Sequence, residues 1–373
     1  MAATKKIPAK HIVYLFGAGA TFAEVKYRNA RPLVNTLMRN IETRDGVFLE
    51  GVATRVLRKF RRGSSLFENI GVDQDVDIEK LISLLTASGV ESHFKAAEDL
   101  RRLYFQDIRK SLQTAKILRQ PKLAMGLLQM HDHPAFKLNV ESLTAIVTTN
   151  HDGLLQVASE KVLNAVNVGF PFESNDLTYA NGRSTIPILQ LHGSLTWRFA
   201  VPPKVSRLDA NGHRHDTMWI PPTVQKESKT YPFNKLHALS FEALSERCDV
   251  LRVVGSSLTQ NDWNILCLLF NAQKHRQRDR KRSFRIELIM SQKGGVYVRN
   301  SCSFLENALV IGSLSDGHFG VFKSRFENSE PPFDSDWSNP FFFWLREKIN
   351  FHQRQGHFGA DPLTSTMKEI AEK

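Results

Sequence analysis

Cysteine is scarce in this 373-residue chain: Cys248, Cys267 and Cys302 are the only three, and they lie far apart. That spacing excludes a CxxC zinc knuckle and a disulfide framework, and it predicts a reducing, cytoplasmic setting in which all three are structural. Long apolar runs are missing as well. None approaches the roughly 20 residues of a membrane span, and the basic stretch MAATKKIPAKH leads straight into a first strand, so neither a membrane segment nor a secretory signal is expected. No internal repeat or low-complexity tract is present. A convincing acidic metal constellation is lacking too: a loop leading into a helix N-terminus accounts for the run Asp73, Asp75, Asp77 and Glu79.

What is present is an ordinary globular composition, 42% apolar, with a net charge of +12. Basic residues cluster at Arg55, Arg58, Lys59, Arg61 and Arg62, and again from His275 to Arg285. They read either as solvated faces or as a surface for nucleic acid or an acidic partner. Aromatic residues are not interleaved with them as a single-strand stacking platform requires, so direct base recognition is not expected, whereas loose phosphate contact stays open.

The stretch IVYLFGAGAT, residues 12 to 21, sets five apolar residues against a glycine turn. Absence of polar alternation predicts a strand buried on both faces. Thr21 and Glu24 have capping-box spacing, which predicts a helix from Thr21 through Val34, Leu37 and Met38, its N-terminal dipole favouring an anion. The turn departs from a dinucleotide fingerprint, because position 22 is Phe and no acidic residue closes a second strand about twenty residues on.

Further buried strands are predicted at Ala145–Thr148, Ile186–Leu191, Val250–Val254, Phe284–Met290 and Ala308–Ile311. With the first they make about six, spaced for helical crossovers: an α/β fold with a Rossmann-like, doubly wound parallel sheet. Residues 46–140 show helical periodicity without a convincing strand and read as an inserted helical module, which leaves 1–45 and 141–320 for the main domain. Residues 201–235, rich in Pro, His and Lys and carrying His213 and His215, read as a long loop able to fold over a site. The extension 321–373 holds "PPFDSDWSNPFFFWLREKI", whose aromatic residues predict docking onto the core or onto another subunit.

The turns directly after the strands are the most informative part of the chain. Gly17-Ala18-Gly19, then Thr149-Asn150-His151-Asp152, then His192-Gly193-Ser194, then Gly255-Ser256-Ser257 all fall at predicted strand ends, where open α/β sheets bind ligands. The ordered series "GAGAT", "TTNHD", "LHGS" and "GSSL" resembles the sirtuin family, most of all its bacterial branch of NAD-consuming defence proteins, over roughly residues 12 to 312. The resemblance implies that Gly17, Ala18, Gly19 and Thr21 form the NAD pyrophosphate turn. It also implies Asn150 beside the nicotinamide ribose, Asp152 beside the carboxamide, His192 as catalytic base, and Gly255, Ser256 and Ser257 on the adenosine side. His151 is expected to point elsewhere, and Asp262 to contact the adenosine or cap the next helix.

Two departures redirect the activity. Three scattered cysteines cannot build the four-cysteine zinc module of sirtuin deacylases. Thr149 stands where those enzymes have glutamine, and their phenylalanine-arginine element is not recognisable in "FAEVKYRNARP". The expectation is therefore NAD hydrolysis to nicotinamide and ADP-ribose without zinc, depleting NAD in anti-phage defence. The resemblance further implies gating by homo-oligomerisation or a partner, either a HerA-type hexameric ATPase or a short Argonaute, with DNA contact through the partner or the basic patches. A non-catalytic NAD or ADP-ribose sensor, and a DNA-acting nuclease subunit, are the alternatives.

Overall fold

A computed structural model of the chain describes residues 9–28, 78–114, 120–171, 173–174, 186–199, 204–205, 217–221, 223, 226, 228–256, 258, 262–290, 292–305, 309–311 and 339–373. The elements that place the sheet are β1 (Lys10–Phe16), β2 (Glu141–Thr148), β4 (Ile188–Gln190), β8 (Val250–Val254), β9 (Arg285–Ile289) and β10 (Leu309–Ile311). They form a six-stranded sheet in the order β10-β9-β8-β1-β2-β4, and every pairing in it is parallel. Renumbered within the sheet this is 3-2-1-4-5-6, the order of dinucleotide-binding α/β sheets, with its switch point between β1 and β8.

Side chains alternate cleanly between two cores. Ile12, Tyr14 and Phe16 face one, Val13 and Leu15 the other, and β8 and β9 keep the same alternation. Helices α1 (Ala18–Arg28), α4 (Lys122–Asp132), α6 (Leu154–Leu163), α10 (Pro340–Arg354) and α11 (Ser365–Glu372) cover the first face. Helices α7 (Phe233–Glu242), α8 (Trp263–Arg278) and α9 (Gln292–Ser301) cover the second. The chain is thus α/β, doubly wound and Rossmann-like, and among the described residues no helix is long and apolar enough to cross a membrane.

Several elements differ in detail from the pattern read in the sequence. The first helix begins at Ala18, three residues early, and Thr21 and Glu24 do not form a capping box. Glu24 is buried and accepts from the backbone N–H groups of Leu123 (2.9 Å) and Ala124 (3.3 Å), so it caps α4 from 99 residues away. Within 46–140 the described residues form α2 (Ile78–Ala87), α3 (Glu91–Thr114), α4 and the short α5 (Pro134–Asn139). The first two pack as a hairpin, while α4 lies in the main helical layer against α1, α6 and α11. Part of 201–235 is strand rather than loop. Here β6 (Lys204–Val205) and β7 (Thr217–Trp219) pair antiparallel with β5 (Gly193–Arg198), and β3 (Glu173–Ser174) completes a second small sheet. The C-terminal aromatics Phe341, Phe342 and Trp344 are buried against this chain's own core, which removes them as a docking surface for another subunit.

One charged cluster crosses the first core. Tyr14, Arg252 and Glu287 stand in register across β1, β8 and β9. The Arg252 guanidinium grips Glu141 with both ends (2.7 and 2.8 Å), reaches Glu287 with Nε (2.9 Å) and donates to the Tyr14 hydroxyl (3.0 Å). Lys348 of α10 closes the set at 2.7 Å from Glu141. Burial pushes the Glu141 carboxyl up, but the two cations beside it hold it well below the usual carboxylate range.

Beside this cluster sit buried imidazoles. His131 meets the Tyr14 hydroxyl at 2.9 Å, and His352 faces His357 at 2.8 Å. Burial, aided by the charges of Arg252 and Lys348, lowers His131 and His352 to about 3. Both rings are therefore neutral in the fold, whereas the unfolded chain takes up protons near 6.5. Their stabilisation is full above that value and is lost as pH falls toward 3. Urea denaturation between pH 7 and pH 4 should show stability falling by roughly 1.4 kcal/mol per pH unit for each histidine once below 6, and His352→Gln should flatten that slope.

Candidate functional site

The carboxyl ends of the strands are held together by backbone. Gly17 N–H donates to Val254 O (3.0 Å) and Gly19 N–H to Gly255 O (2.9 Å), so the turn after β1 and the turn after β8 are stitched at the switch point. They touch so closely that no side chain fits between them. A Cβ on Gly17 would lie 2.6 Å from Ser256 Cα, and one on Gly255, whose φ is +59°, would lie 2.5 Å from Ala20 N. These glycines are required by the contact between turns. Ala20 N–H is also engaged, with Gly17 O at 3.0 Å, so a phosphate here would meet the dipole of α1 more than a ring of open amides.

Next along this crest lies the loop after β2. Thr148 Oγ1 donates to Phe16 O (3.1 Å) and accepts from Asn150 N–H (3.1 Å), which locks the loop to β1. Asn150 Nδ2 donates to Gly17 O (2.9 Å) and to Thr21 Oγ1 (3.0 Å). With both amide protons directed there, Oδ1 is the acceptor Asn150 can present to a ligand. Thr21 Oγ1 donates a hydrogen bond to Asp152 Oδ2 (2.6 Å), and Asp152 Oδ1 accepts from Leu154 N–H (3.1 Å) at the start of α6. Burial raises the Asp152 carboxyl, and the hydrogen bonds from Thr21 and Leu154 oppose that rise. Gln190 supports the loop from beneath, donating to Asp152 O (2.8 Å) and Asn150 O (3.2 Å) while accepting from Gln156 (2.6 Å).

His192 sits at the elbow where the chain leaves the large sheet for the small one. Leu191 N–H still bonds to Thr148 O of β2 (2.9 Å), whereas His192 O already accepts from Ile220 N–H (2.8 Å) beside β7. Gly193 makes the bend at φ +73°, where a Cβ would strike Met218 O at 2.4 Å. The His192 side chain is 4% exposed, and its Nε2 has no hydrogen-bond partner among the described residues. Its ring lies 6.1 Å from that of His151, which packs edge-on against Trp219 at 5.2 Å. Contrary to the reading that turned it elsewhere, His151 therefore belongs to the same cluster. Burial, then Lys226, lowers His151 to about 4. Burial, then Lys226, His151 and His237, holds His192 well below its ordinary value, so both rings are neutral near pH 7.

The crest thus joins Gly17, Gly19, Thr21, Asn150, Asp152, Gly255 and Ser256 by direct contacts, while His151, between Asn150 and Asp152 in the chain, and His192, after β4, form a pair whose rings lie 6.1 Å apart. Ala18 lies in the turn between the two glycines, and Ser257 lies outside the described residues. Asp262 occupies the N-cap position of α8 without capping it with its side chain; the carboxylate pairs with Lys226 at 3.2 Å. Sequence reading missed Lys226, Gln190, Gln156, Trp219 and His237, and it placed Glu79 only in a helix start. The available signal was weak. A lysine in a polar stretch and a glutamine ending a short strand resemble any solvated residues.

The basic run from His275 to Arg285 is largely accounted for within the chain. Arg276 is buried and donates to the carbonyls of Arg282 (2.8 Å) and Ser245 (3.2 Å), Lys281 pairs with Glu246, and His275 lies 3.4 Å from Asp279. The cluster from Arg55 to Arg62 lies outside the described residues, as do Asp73, Asp75, Asp77, His213 and His215.

Gly255→Ala combines a left-handed backbone with a steric clash and should cost at least about 2 kcal/mol in urea denaturation. Gly89→Ala is the control, because φ there is +71° but nothing lies within 4 Å, and about 1 kcal/mol is expected. Compared with models of known protein families and with curated proteins, the chain matches none.

Proposed function

We propose that the crest at the switch point binds NAD and hydrolyses its nicotinamide–ribose bond, giving nicotinamide and ADP-ribose. The observation that carries this reading is a buried, neutral histidine, with Nε2 unengaged among the described residues, at the carboxyl end of β4, on the same edge as the β1–β8 switch point of a sheet with dinucleotide-binding strand order. The sirtuin-like motif order supports the same assignment.

In this reading the C–N bond breaks with its electron pair passing to the pyridinium nitrogen, so the leaving group departs neutral and needs little acid catalysis. Positive charge develops on the ribose, water adds, and its proton passes to His192 Nε2. Asn150 Oδ1 accepts from a ribose hydroxyl or from that water, and Asp152 accepts from the carboxamide. The pyrophosphate lies toward the start of α1, at Gly17, Ala18, Gly19 and Thr21, with the adenosine toward Gly255, Ser256 and Ser257. A base depressed as far as His192 is correctly deprotonated but binds protons weakly; the phosphate charges of a bound dinucleotide move it back upward.

From the same resemblance we infer a role in anti-phage defence through NAD depletion, gated by homo-oligomerisation or by a HerA-type ATPase, with a short Argonaute as the other partner class. Nicotinamide release from NAD, monitored by chromatography with and without the candidate ATPase, tests the reading. His192→Ala and Asn150→Ala should each lower release by at least about a hundredfold. Undiminished release from His192→Ala would overturn the assignment of the base. Binding of NAD without release under either condition would favour the sensor, and DNA cleavage without NAD loss the nuclease.

A further inference from the structure

His192 Nε2 and His151 Nδ1 share one condition: both atoms are shielded from solvent, and neither has a hydrogen-bond partner among the described residues. A buried polar atom left unpaired costs free energy, so such atoms mark either a bound group or a wall that moves. Against this pair lies Trp219. Its backbone pairs with Gly193, one residue beyond His192, and its indole packs edge-on against the His151 ring at 5.2 Å. The flanking side chains of Met218 and Ile220 turn into the second core, whereas Trp219 turns the other way, into the first. There its ring meets Phe105 of α3 at 5.3 Å, and both residues are buried. The packing over His151 is therefore two rings deep, and the outer ring comes from the helical hairpin.

That hairpin is lightly held. Among the described elements, α2 and α3 contact each other far more than they contact anything else. Near its tip Leu84, Val90 and Phe94 are exposed, and a Cβ on Gly89 would meet nothing within 4 Å. Toward its base it meets the main domain through Phe105 on Trp219 and through Glu79, 3.3 Å from the Lys226 ammonium. Units with few outside contacts are those that open at a small cost in free energy. The hydrogen bonds that join Gly17, Thr21, Asn150 and Asp152 involve no residue of α2 or α3, so the hairpin can lift without disturbing them.

We propose that Trp219 is a positioning residue that seals His151 and His192, and that the α2–α3 hairpin holds it in place through Phe105, so that the two imidazoles become reachable when the hairpin lifts. The meaning of this seal for catalysis rests on the reading of His192 as the proton acceptor: a dinucleotide then meets the base only in the opened form.

The test is carbethoxylation of the full chain by diethyl pyrocarbonate near neutral pH, followed by mass spectrometry of the peptides that carry each histidine. In the unaltered chain His151 and His192 should react slowly, as should His131 and His352, which are buried elsewhere. Phe105→Ala removes the outer ring and should speed the reaction at His151 and His192 by at least about tenfold, with His131 and His352 unchanged. If that variant fails to fold, Glu79→Gln, which weakens the hairpin's hold on Lys226, should give the same selective pattern. Rapid reaction of the pair in the unaltered chain, or unchanged rates in a folded variant, would overturn the proposal. A rise at all four histidines together would overturn it as well, because it reports loss of the core instead of a lifted hairpin. The reaction uses no nucleotide, so failure to hydrolyse NAD would defeat the functional reading while leaving this result independent of it.

Discussion

The bidentate grip of Arg252 on Glu141 is the interaction on which the arrangement rests. Arg252 occupies the middle of β8, level with Tyr14, and Glu141 the first position of β2, level with Lys10, so the pair ties two strands together diagonally across β1. Glu287 extends the set to β9 and Lys348 adds a helix from the far end of the sequence. Two cations meet two carboxylates, and each charge removed from water has a partner. Such a cluster adds little net stability compared with apolar packing, but a slipped register would strand charges in the core. Its effect is felt at the other end of the strands, where the turns after β1, β2 and β8 arrive level enough to bond to one another.

Above that fixed floor, the crest is built from short contacts that leave little room for drift. Asn150 is held through Thr21 and Gly17, Asp152 through Thr21 and Leu154, and their carbonyls through Gln190. His192 is fixed by the change of sheet at Gly193. Preorganisation of this kind matters where a reaction depends mainly on placing water and charge. Hydrogen-bond donors pre-committed to the protein, as at Asn150, also decide which atom a ligand meets.

Much of the fold was legible because parallel strands buried on both faces leave uninterrupted apolar runs, as at Ile12–Phe16 and Val250–Val254. The strand-end motifs were legible for the same reason, since polar and glycine residues stand out directly after such runs. Arg252 and Glu287 were not: a single charge within an apolar run reveals nothing of a partner on a neighbouring strand. Local spacing also misled where tertiary contacts took over the side chains. Thr21 and Glu24 match a capping box, yet one bonds to Asp152 and the other to the start of α4. The pairing of Lys226 with Glu79 escaped notice because it spans 147 residues, a separation that no local pattern encodes.

The glycines of the crest have a consequence for descent. Gly17, Gly19 and Gly255 are demanded by the abutment of two turns, so a descendant that had lost all chemistry would still retain them to keep its sheet closed. Asn150 and His192 are not subject to that steric demand. Among diverging copies of this gene, persistence of the glycines would therefore track the architecture, and the moment at which Asn150 and His192 began to vary would date the loss of whatever the crest was selected to do.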